Sequence, residues 1–204
     1  PRGRRLALWG ALVALLVVAQ SMLVFLTANY ERVRAQDLVE AAATAAAADV
    51  RQALSRHQQS LQALQWNDPS TEHWRSEAAA LLHSRRDLLR IERRDPRMHI
   101  AVAVDSPYQA PLFTRIAREA IELEAQLACA GALRLAAPAF SRSYFVPMSD
   151  GLGMEVVDLC VPLQRAGQPD GMVIATLALG RLLEESISAD MSRGHEFSFI
   201  EGDG

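Results

Sequence analysis

Three polar residues on predicted strands of this sequence could together bind a small anion. Arg142 and Tyr144 are two residues apart, and because side chains alternate along a strand they would lie on one face. A guanidinium with paired N–H donors and a phenol hydroxyl suit a carboxylate. Thr176, late in a later strand, could donate a third hydrogen bond. The alternative is that Arg142 is a surface residue of an edge strand and that Thr176 only packs as a β-branched residue.

Other kinds of chemistry have little support in the residue pattern. The five histidines form no HExxH motif and no cysteine spacing that is typical of a metal site. Ser141 and Ser143 lie outside a GxSxG nucleophile elbow, and Gly151-Leu152-Gly153 lacks the third glycine of a dinucleotide-binding loop. We therefore expect no catalytic residue, no metal and no cofactor within these 204 residues.

The two cysteines, Cys129 and Cys160, both lie among apolar neighbours. In an oxidising compartment they could form a disulfide, and closing a loop of about 30 residues would stabilise the fold by around 3–4 kcal/mol. Alternatively, both are buried free thiols, which are common core residues. The sequence leaves both possibilities open.

Overall composition excludes several classes of protein. Half of the residues are hydrophobic, which is too many for a disordered chain. The formal net charge is −3, so there is no general attraction for nucleic acid and we expect no such partner.

An apolar run near the N-terminus is the clearest signal in the chain. Residues 6–27 carry no charge, and at ~1.5 Å per residue such a helix crosses the roughly 30 Å core of a bilayer. Arg2, Arg4 and Arg5 precede the run and favour a cytoplasmic N-terminus, 1–5. We interpret 6–27 as an uncleaved transmembrane helix, because the apolar part of a cleaved signal peptide usually has only about 7–15 residues.

The helical pattern continues without proline or glycine over residues 28–66. Side chains recur along it at alternating spacings of four and three and form one seam: Val50, Leu54, His57, Leu61 and Leu64. We interpret 28–66 as a long signalling or stalk helix, which dimerises through this seam, packs lengthwise on its own domain, or does both. The pattern does not choose between these possibilities.

Residues 67–190 predict an α+β domain with about five antiparallel strands flanked by helices. The elements in order are a helix from Ser70 to about His83, strands 88–94 and 98–104, a helix over 111–137, strands 141–146, 154–161 and 171–177, a helix over 180–187 and the start of a strand over 197–201.

Two details of this domain follow from its periodicity. The long helix would bury one stripe of apolar side chains: Ile116, Ala120, Leu123, Leu127 and Ala130. Arg90, Glu92 and Arg94 share one face of the first strand, and we interpret them as a solvated ladder of charges.

Four strand segments and one helix resemble a known family of sensors. They are LLRIERRD at 88–95, FSRSYFVP at 140–147, GMEVVDLCVP at 153–162, GMVIATL at 171–177 and the helix with Leu182-Leu183. Together they resemble the periplasmic, PAS-like sensory domains, also called PDC or Cache domains, of bacterial transmembrane histidine kinases, in particular the C4-dicarboxylate sensors.

This resemblance implies a role that the residues alone do not show. It implies a sensor domain in the periplasm, held in the inner membrane by the N-terminal helix, that binds a small carboxylate ligand. It further implies a homodimer and a cytoplasmic kinase that signals to a response regulator. Residues 191–204 would begin a truncated second, membrane-proximal lobe of a longer receptor. The alternatives are the sensor region of a chemoreceptor or cyclic-dinucleotide signalling protein, and a signal-anchored structural protein of the envelope.

Overall fold

The computed structural model of the chain describes residues 2–66, 70–121, 123–148, 153–165, 167–194, 196, 197 and 199. For residues 2, 4–8, 65, 66 and 190 it describes the backbone only. The chain divides into two compact units, Pro1–Ala47 and Ala48–Gly204. One helix, α1 (Arg2–Trp66), forms the first unit and supplies the first element of the second.

The N-terminal part of α1 is a candidate membrane anchor by its length and composition. An 18-residue window of this helix has a mean hydropathy of 2.4, and none of that window is buried. Leu15 and Leu23 are 73% and 67% exposed. A helix that is apolar all round is typical of a membrane span, because only lipid or a protein core solvates such a surface.

The second unit is built around one antiparallel sheet, as the sequence predicted. Its elements after α1 are α2 (Thr71–Ser84), β1 (Leu88–Arg94), β2 (Ile100–Asp105), a 3-10 turn (Leu112–Thr114), α3 (Arg118–Ile121), α4 (Leu123–Leu135), β3 (Ala139–Phe140), β4 (Tyr144–Pro147), β5 (Gly153–Arg165), β6 (Gln168–Ala178), α5 (Leu179–Ser186) and α6 (Ala189–Gly194). The strand order is β2-β1-β6-β5-β3, and β4 also pairs with β5. Six described strands replace the predicted five, because residues 141–143 separate β3 from β4.

The last turns of α1 and the helix α2 cover one face of the sheet. Ser70 caps α2 as predicted, accepting a hydrogen bond from the backbone of His73. Leu61 and Trp74 are 0% and 1% exposed and belong to the same core as Leu177 of β6. Val50, His57 and Leu64 are buried as well. The predicted seam therefore packs lengthwise on its own domain, the second of the two readings that its spacing allowed.

The opposite face of the sheet is covered by α3 and α4, and here the sequence prediction was partly wrong. The helix expected over 111–137 begins only at Arg118, since a 3-10 turn and non-helical residues precede it. Its predicted apolar stripe faces outward, with Leu123 and Leu127 65% and 62% exposed. The buried residues of α4 are small ones: Ala125, Cys129 and Ala132.

A disulfide holds α4 against the sheet. It joins Cys129 of α4 to Cys160 of β5, with the two Cα atoms 5.2 Å apart. Both residues are almost fully buried. Small side chains and a covalent link allow the helix to lie close to the strand, so its long leucine side chains have no room on the inner side.

One sequence prediction falls largely outside the described ranges. It is the second lobe, which includes residues 198, 200 and 201 of the predicted last strand.

Candidate ligand-binding site

The register of the sheet places a row of polar residues on the face that α3 and α4 cover. Asp105 of β2 lies opposite Arg90 of β1, which lies opposite Thr176 of β6, which lies opposite Asp158 of β5. Residues directly opposite each other on neighbouring strands point to the same side of the sheet, so these four residues share one face. The row therefore crosses four strands of the sheet.

Asp158, at one end of this row, is completely buried. Its Oδ1 accepts a hydrogen bond from Thr176 Oγ1 at 2.6 Å, and its Oδ2 accepts one from the Tyr144 hydroxyl at 2.6 Å. Its backbone N–H donates to Ser141 Oγ at 2.9 Å. An acidic residue within a buried apolar stretch, here VVDLCV of β5, is stable only when its charge is paired and hydrogen-bonded, and these contacts supply part of that pairing.

The cationic partner of Asp158 is Arg118, the first residue of the short helix α3, which packs on this face of the sheet. Its Nη2 lies 3.1 Å from Asp158 Oδ2, and its Nη1 donates to the Tyr144 hydroxyl. The Phe113 ring lies 4.7 Å from the guanidinium carbon, a distance typical of a cation–π contact. Arg118 is 3% exposed, yet its Nε and Nη2 form no hydrogen bond of acceptable geometry within the described structure.

A second set of ion pairs continues the network along β1. Glu92 Oε1 accepts from Arg90 Nε at 2.7 Å, and Glu92 Oε2 accepts from Arg94 Nη2 at 2.9 Å. Arg90 also donates to both oxygens of Asp105, at 2.8 and 3.0 Å. Glu92 Oε1 lies 3.7 Å from Arg118 Nε, which joins the two sets.

The expected solvated ladder of charges on β1 is therefore wrong. Glu92 is 1% exposed and Arg94 is 5% exposed, because α3 and α4 cover this face. Three guanidinium groups and three carboxylates form the network, so its formal charge is balanced. We refer to Arg90, Glu92, Arg94, Asp105, Arg118, Tyr144, Asp158 and Thr176 as the ionic network.

The environment keeps these groups in definite protonation states. Burial disfavours the charged form of Glu92, but Arg118, Arg94 and Arg90 outweigh it and lower the pKa of the carboxyl. Burial also opposes the charge of Arg118, but Asp158, Tyr144 and Glu92 raise its pKa, so it stays a cation. Burial and Asp158 raise the pKa of the Tyr144 hydroxyl, which remains a proton donor.

A cavity of about 610 Å³ adjoins the network at Arg94. It is lined by Arg94, Arg97, Met98, His99 and Ile100 from the β1–β2 hairpin and by Glu119, Gln126, Ala130 and Leu133 from α3 and α4. Cavities of roughly 300–1,000 Å³ are typical of small-molecule sites. The hairpin backbone is strained beside it, since Met98 has a φ of 66°.

The structure brings together two of the three residues that the sequence singled out. Tyr144 and Thr176 both donate to Asp158. Arg142 is exposed and lies between β3 and β4, outside any strand, so it does not share a strand face with Tyr144. The arginine that contacts the Tyr144 hydroxyl is Arg118.

Sequence reasoning missed Arg118 and Asp158. For Asp158 a signal was present, since a single acid inside the apolar run VVDLCV of a buried strand requires a partner. For Arg118 there was none, because it lies in a segment that reads as the polar side of a longer helix.

Comparison with known proteins gives matches among solved structures alone. No protein-family model matches this chain, and no curated protein does. The ligand-binding domain of the Campylobacter jejuni chemoreceptor Tlp3, in complex with L-norvaline, has 14% identity and a TM-score of 0.50 and covers 72% of this chain and 60% of its own. That of the Pseudomonas aeruginosa PAO1 amino acid chemoreceptor PctB, in complex with L-Gln, has 18% identity and a TM-score of 0.48 and covers 68% and 54%.

A third structure is the ligand-binding domain of the P. aeruginosa PAO1 amino acid chemoreceptor PctC in complex with GABA, with 14% identity, a TM-score of 0.44 and coverage of 66% and 61%. The chain thus spans 54–61% of the length of these three domains. At such identities the likeness to the Tlp3 domain speaks for the fold alone. The predicted fold is confirmed: the chain has the fold of a PDC/Cache-type sensor domain.

Proposed function

We propose that this chain is the extracytoplasmic ligand-sensing region of a membrane-anchored receptor and that it binds a small organic anion at the ionic network. The observation that carries the proposal is the state of Arg118. Its guanidinium is buried, and Nη2 and Nε face Asp158 Oδ2 at 3.1 Å and Glu92 Oε1 at 3.7 Å without forming well-aligned hydrogen bonds. Poorly satisfied buried donors are costly, and an anionic oxygen with better geometry would satisfy them.

A carboxylate suits these donors better than a neutral ligand. Two carboxylate oxygens match the spacing of adjacent guanidinium N–H groups, and the pair is a charge-assisted hydrogen bond. Such a bond contributes roughly 1.5–3 kcal/mol, or about 10- to 150-fold in affinity. Tyr144 and Thr176, which the sequence assigned to the site, hold Asp158 beside the same guanidinium. Arg118 takes the role that the sequence gave to Arg142.

The ligand would signal by shifting a conformational equilibrium. An anion that pairs with Arg118 competes with Asp158 and Glu92, so α3 and the sheet would change their mutual contacts. The last turns of α1 pack on the other face of that sheet. The same helix contains the candidate membrane anchor, which would hold the domain in the inner membrane of a bacterium with the sensor in the periplasm.

Two kinds of output module fit a domain of this type. The resemblance of the strand segments favours a histidine kinase, acting as a homodimer on a cytoplasmic response regulator. The fold likeness to a chemoreceptor domain favours a chemoreceptor equally. A cyclic-dinucleotide enzyme is a further output, and a structural envelope protein would bind no ligand. Reading the encoded protein beyond Gly204, if it continues, distinguishes these classes.

Calorimetric titration of the chain in detergent micelles tests the proposed ligand class. We expect succinate, malate or a simple monocarboxylate to bind, and Arg118→Ala to abolish binding. Arg118→Lys keeps the charge but loses the planar fork, so it should bind more weakly than the parent and more tightly than Arg118→Ala.

Arg142→Ala is the matched control, since Arg142 is exposed and we expect parental affinity. Thermal unfolding of each variant, followed by circular dichroism, shows whether it still folds. The proposal is wrong if no carboxylate binds, or if folded Arg118→Ala binds as tightly as the parent. If Arg142→Ala alone loses binding, the arginine that binds the ligand is Arg142, as the sequence predicted.

A further inference from the structure

We infer that the outward face of α4 is a contact surface for a second copy of this chain, whose own α4 packs against it antiparallel. The inference goes beyond the proposed function, since it does not depend on what the domain binds. It rests on three features of this helix: an exposed row of leucines, a glycine in the middle of that row, and two opposite charges placed symmetrically about its centre.

The leucines of α4 form a row on the side that faces away from the sheet. Leu123, Leu127 and Leu135 are 62–71% exposed, while the inward side of the helix consists of small buried residues. Residues four apart lie one above the other on a helix, so Gly131 belongs to the same row. Single exposed leucines are ordinary, but an apolar row along one helix is typical of an interaction surface.

Gly131 leaves a gap in this row that the chain itself does not use. Glycine inside a helix is destabilising relative to alanine. A Cβ added at this position would meet no atom of the surrounding described residues within 4 Å, so packing within the chain does not require a glycine here. A gap between leucines would instead let a leucine of a second helix approach closely, since helices pack by fitting ridges into grooves.

Two charges beside the row determine the direction in which a second copy packs. Glu124 lies three residues before Leu127, and Arg134 lies three residues after Gly131, so both flank the row. They are ten residues apart, about 15 Å along the helix. Parallel packing would place like charges side by side, whereas antiparallel packing pairs each glutamate with an arginine. The helix dipoles favour the antiparallel arrangement as well.

One register satisfies all of these features, because the row is symmetric about the level of residue 129. Leu123 and Leu135 lie six residues from this level on either side, and Leu127 and Gly131 lie two residues from it. When two copies align there, the facing residues are Leu123 and the partner's Leu135, Leu127 and the partner's Gly131, and Glu124 and the partner's Arg134. Each contact then occurs twice, as a two-fold interface requires.

Cysteine cross-linking of the intact chain in detergent micelles tests the direction and the register. One helix from each copy buries less than the roughly 1,200–2,000 Å² of a standard interface, so the contact is weak and must be captured covalently. Leu123→Cys and Leu135→Cys are made in separate chains, mixed and treated with a short bismaleimide. The parent is the blank, because its own two cysteines form the buried disulfide.

We expect the mixture to give several-fold more cross-linked dimer than either variant alone. In the antiparallel pair a cysteine at 123 faces one at 135, whereas two cysteines at 123 are 12 residues, or about 18 Å, apart along the helices. Equal yields in all three samples, which another partner or a lipid surface on this face would give, overturn the inference. A higher yield from Leu123→Cys alone would show parallel packing and overturns it too.

Charge reversal in the same cross-linking pair tests the predicted ion pairs. Glu124→Arg places two arginines opposite each other at both ends of the contact and should lower the yield several-fold. Glu124→Arg/Arg134→Glu restores opposite charges and should regain most of it. Arg75→Glu, on the exposed side of α2, is the matched control and should keep the parental yield.

Circular dichroism shows whether each variant is folded. A folded double reversal that stays as low as Glu124→Arg overturns the register. None of these substitutions touches the ionic network, so a failure here leaves the carboxylate titrations, and with them the proposed function, to be decided separately.

Discussion

The imidazole of His57 and the carboxylate of Asp87 form a buried contact, with 2.5 Å between Nε2 and Oδ2. It joins α1 to the residue that precedes β1. The backbone oxygen of Asp87 also accepts from the N–H of Ala178, the last residue of β6. Thr176 of the ionic network lies two residues earlier on that strand. A continuous set of contacts thus links the candidate ligand site on one face of the sheet with α1 on the other.

Removal of one partner of this contact should strongly destabilise the domain. Asp87→Ala leaves His57 buried without its acceptor, and an unsatisfied buried polar group costs about 1–3 kcal/mol. We expect a loss of this size in the free energy of unfolding, measured by urea titration of the chain in detergent.

The double variant His57→Leu/Asp87→Leu removes both polar groups and should lose less stability than Asp87→Ala. Gln59→Ala, on the exposed side of the same helix, should stay within about 0.5 kcal/mol of the parent. A loss below about 1 kcal/mol in Asp87→Ala would mean that the contact contributes little.

The strands and the long N-terminal helix were predictable because their local patterns are strong. Strand β1 was predicted over 88–94, the range that the structure has. The number of strands was not predictable, since the interruption at 141–143 depends on the partner strand β5 and leaves no mark on the local alternation.

The seam of α1 should behave as part of the domain core. Leu61 is completely buried against this core, so Leu61→Ala leaves a cavity and should cost about 2–5 kcal/mol of unfolding free energy. Cysteines placed at Val50 and Leu61 should cross-link between subunits less efficiently than cysteines at the exposed Gln52 and Gln59. Efficient disulfide capture of a dimer through Leu61→Cys would show instead that the seam is an intersubunit contact.

The orientation of α4 could not be read from its sequence. Alanine and leucine make up eight of the 13 residues of α4, so two different faces are apolar and the 3.6-residue period fits either. The disulfide decides between them by placing Cys129 inward. The sequence allowed that bond but also allowed two free thiols.

Glu92 should make stability depend on pH in the acidic range. Its pKa in the folded state is lowered, so its ionised form stabilises the fold above its ordinary pKa, and this contribution is lost as the pH falls through the folded value. Glu92→Gln should therefore be less stable than the parent at pH 7, and the difference should shrink below a pH of about 4. Urea titrations between pH 7 and pH 3 measure both values, and a difference that is constant with pH would contradict the assignment.

Replacing Glu185 of α5 by glutamine should change stability at neutral pH in the opposite direction to Glu92→Gln. Burial and the nearby carboxylate of Asp87 raise its pKa, so its charged form is disfavoured in the folded state. Glu185→Gln should therefore stabilise the chain slightly at neutral pH, and the gain should vanish once the pH falls below the ordinary pKa of a glutamate. A destabilised Glu185→Gln variant at pH 7 would contradict this.

Only some residues of the ionic network could be predicted from the sequence, and the reason is physical. Tyr144 and Thr176 lie on strands, where alternation fixes the face of each side chain. Arg118 reaches the site from α3, whose position is set by the packing of Leu112 and Phe113 and by the ion pairs themselves. Such long-range contacts have no local signature, so one sequence could not distinguish Arg118 from a surface arginine.

The disulfide should contribute much of the stability of the second unit. Cys129 and Cys160 are 31 residues apart, and in the chain-entropy model a loop of this size stabilises the fold by about 3–4 kcal/mol. Replacing both residues by alanine, or reducing the parent, should lower the free energy of unfolding by that amount, and the reductant should have no effect on the double variant.

Maleimide should label the urea-unfolded parent only after reduction, because the bond leaves no free thiol among the described residues. Labelling of both thiols without reductant would show that the bond does not form. Because Cys160 lies two residues from Asp158 on β5, its loss should also weaken any carboxylate that binds at Arg118.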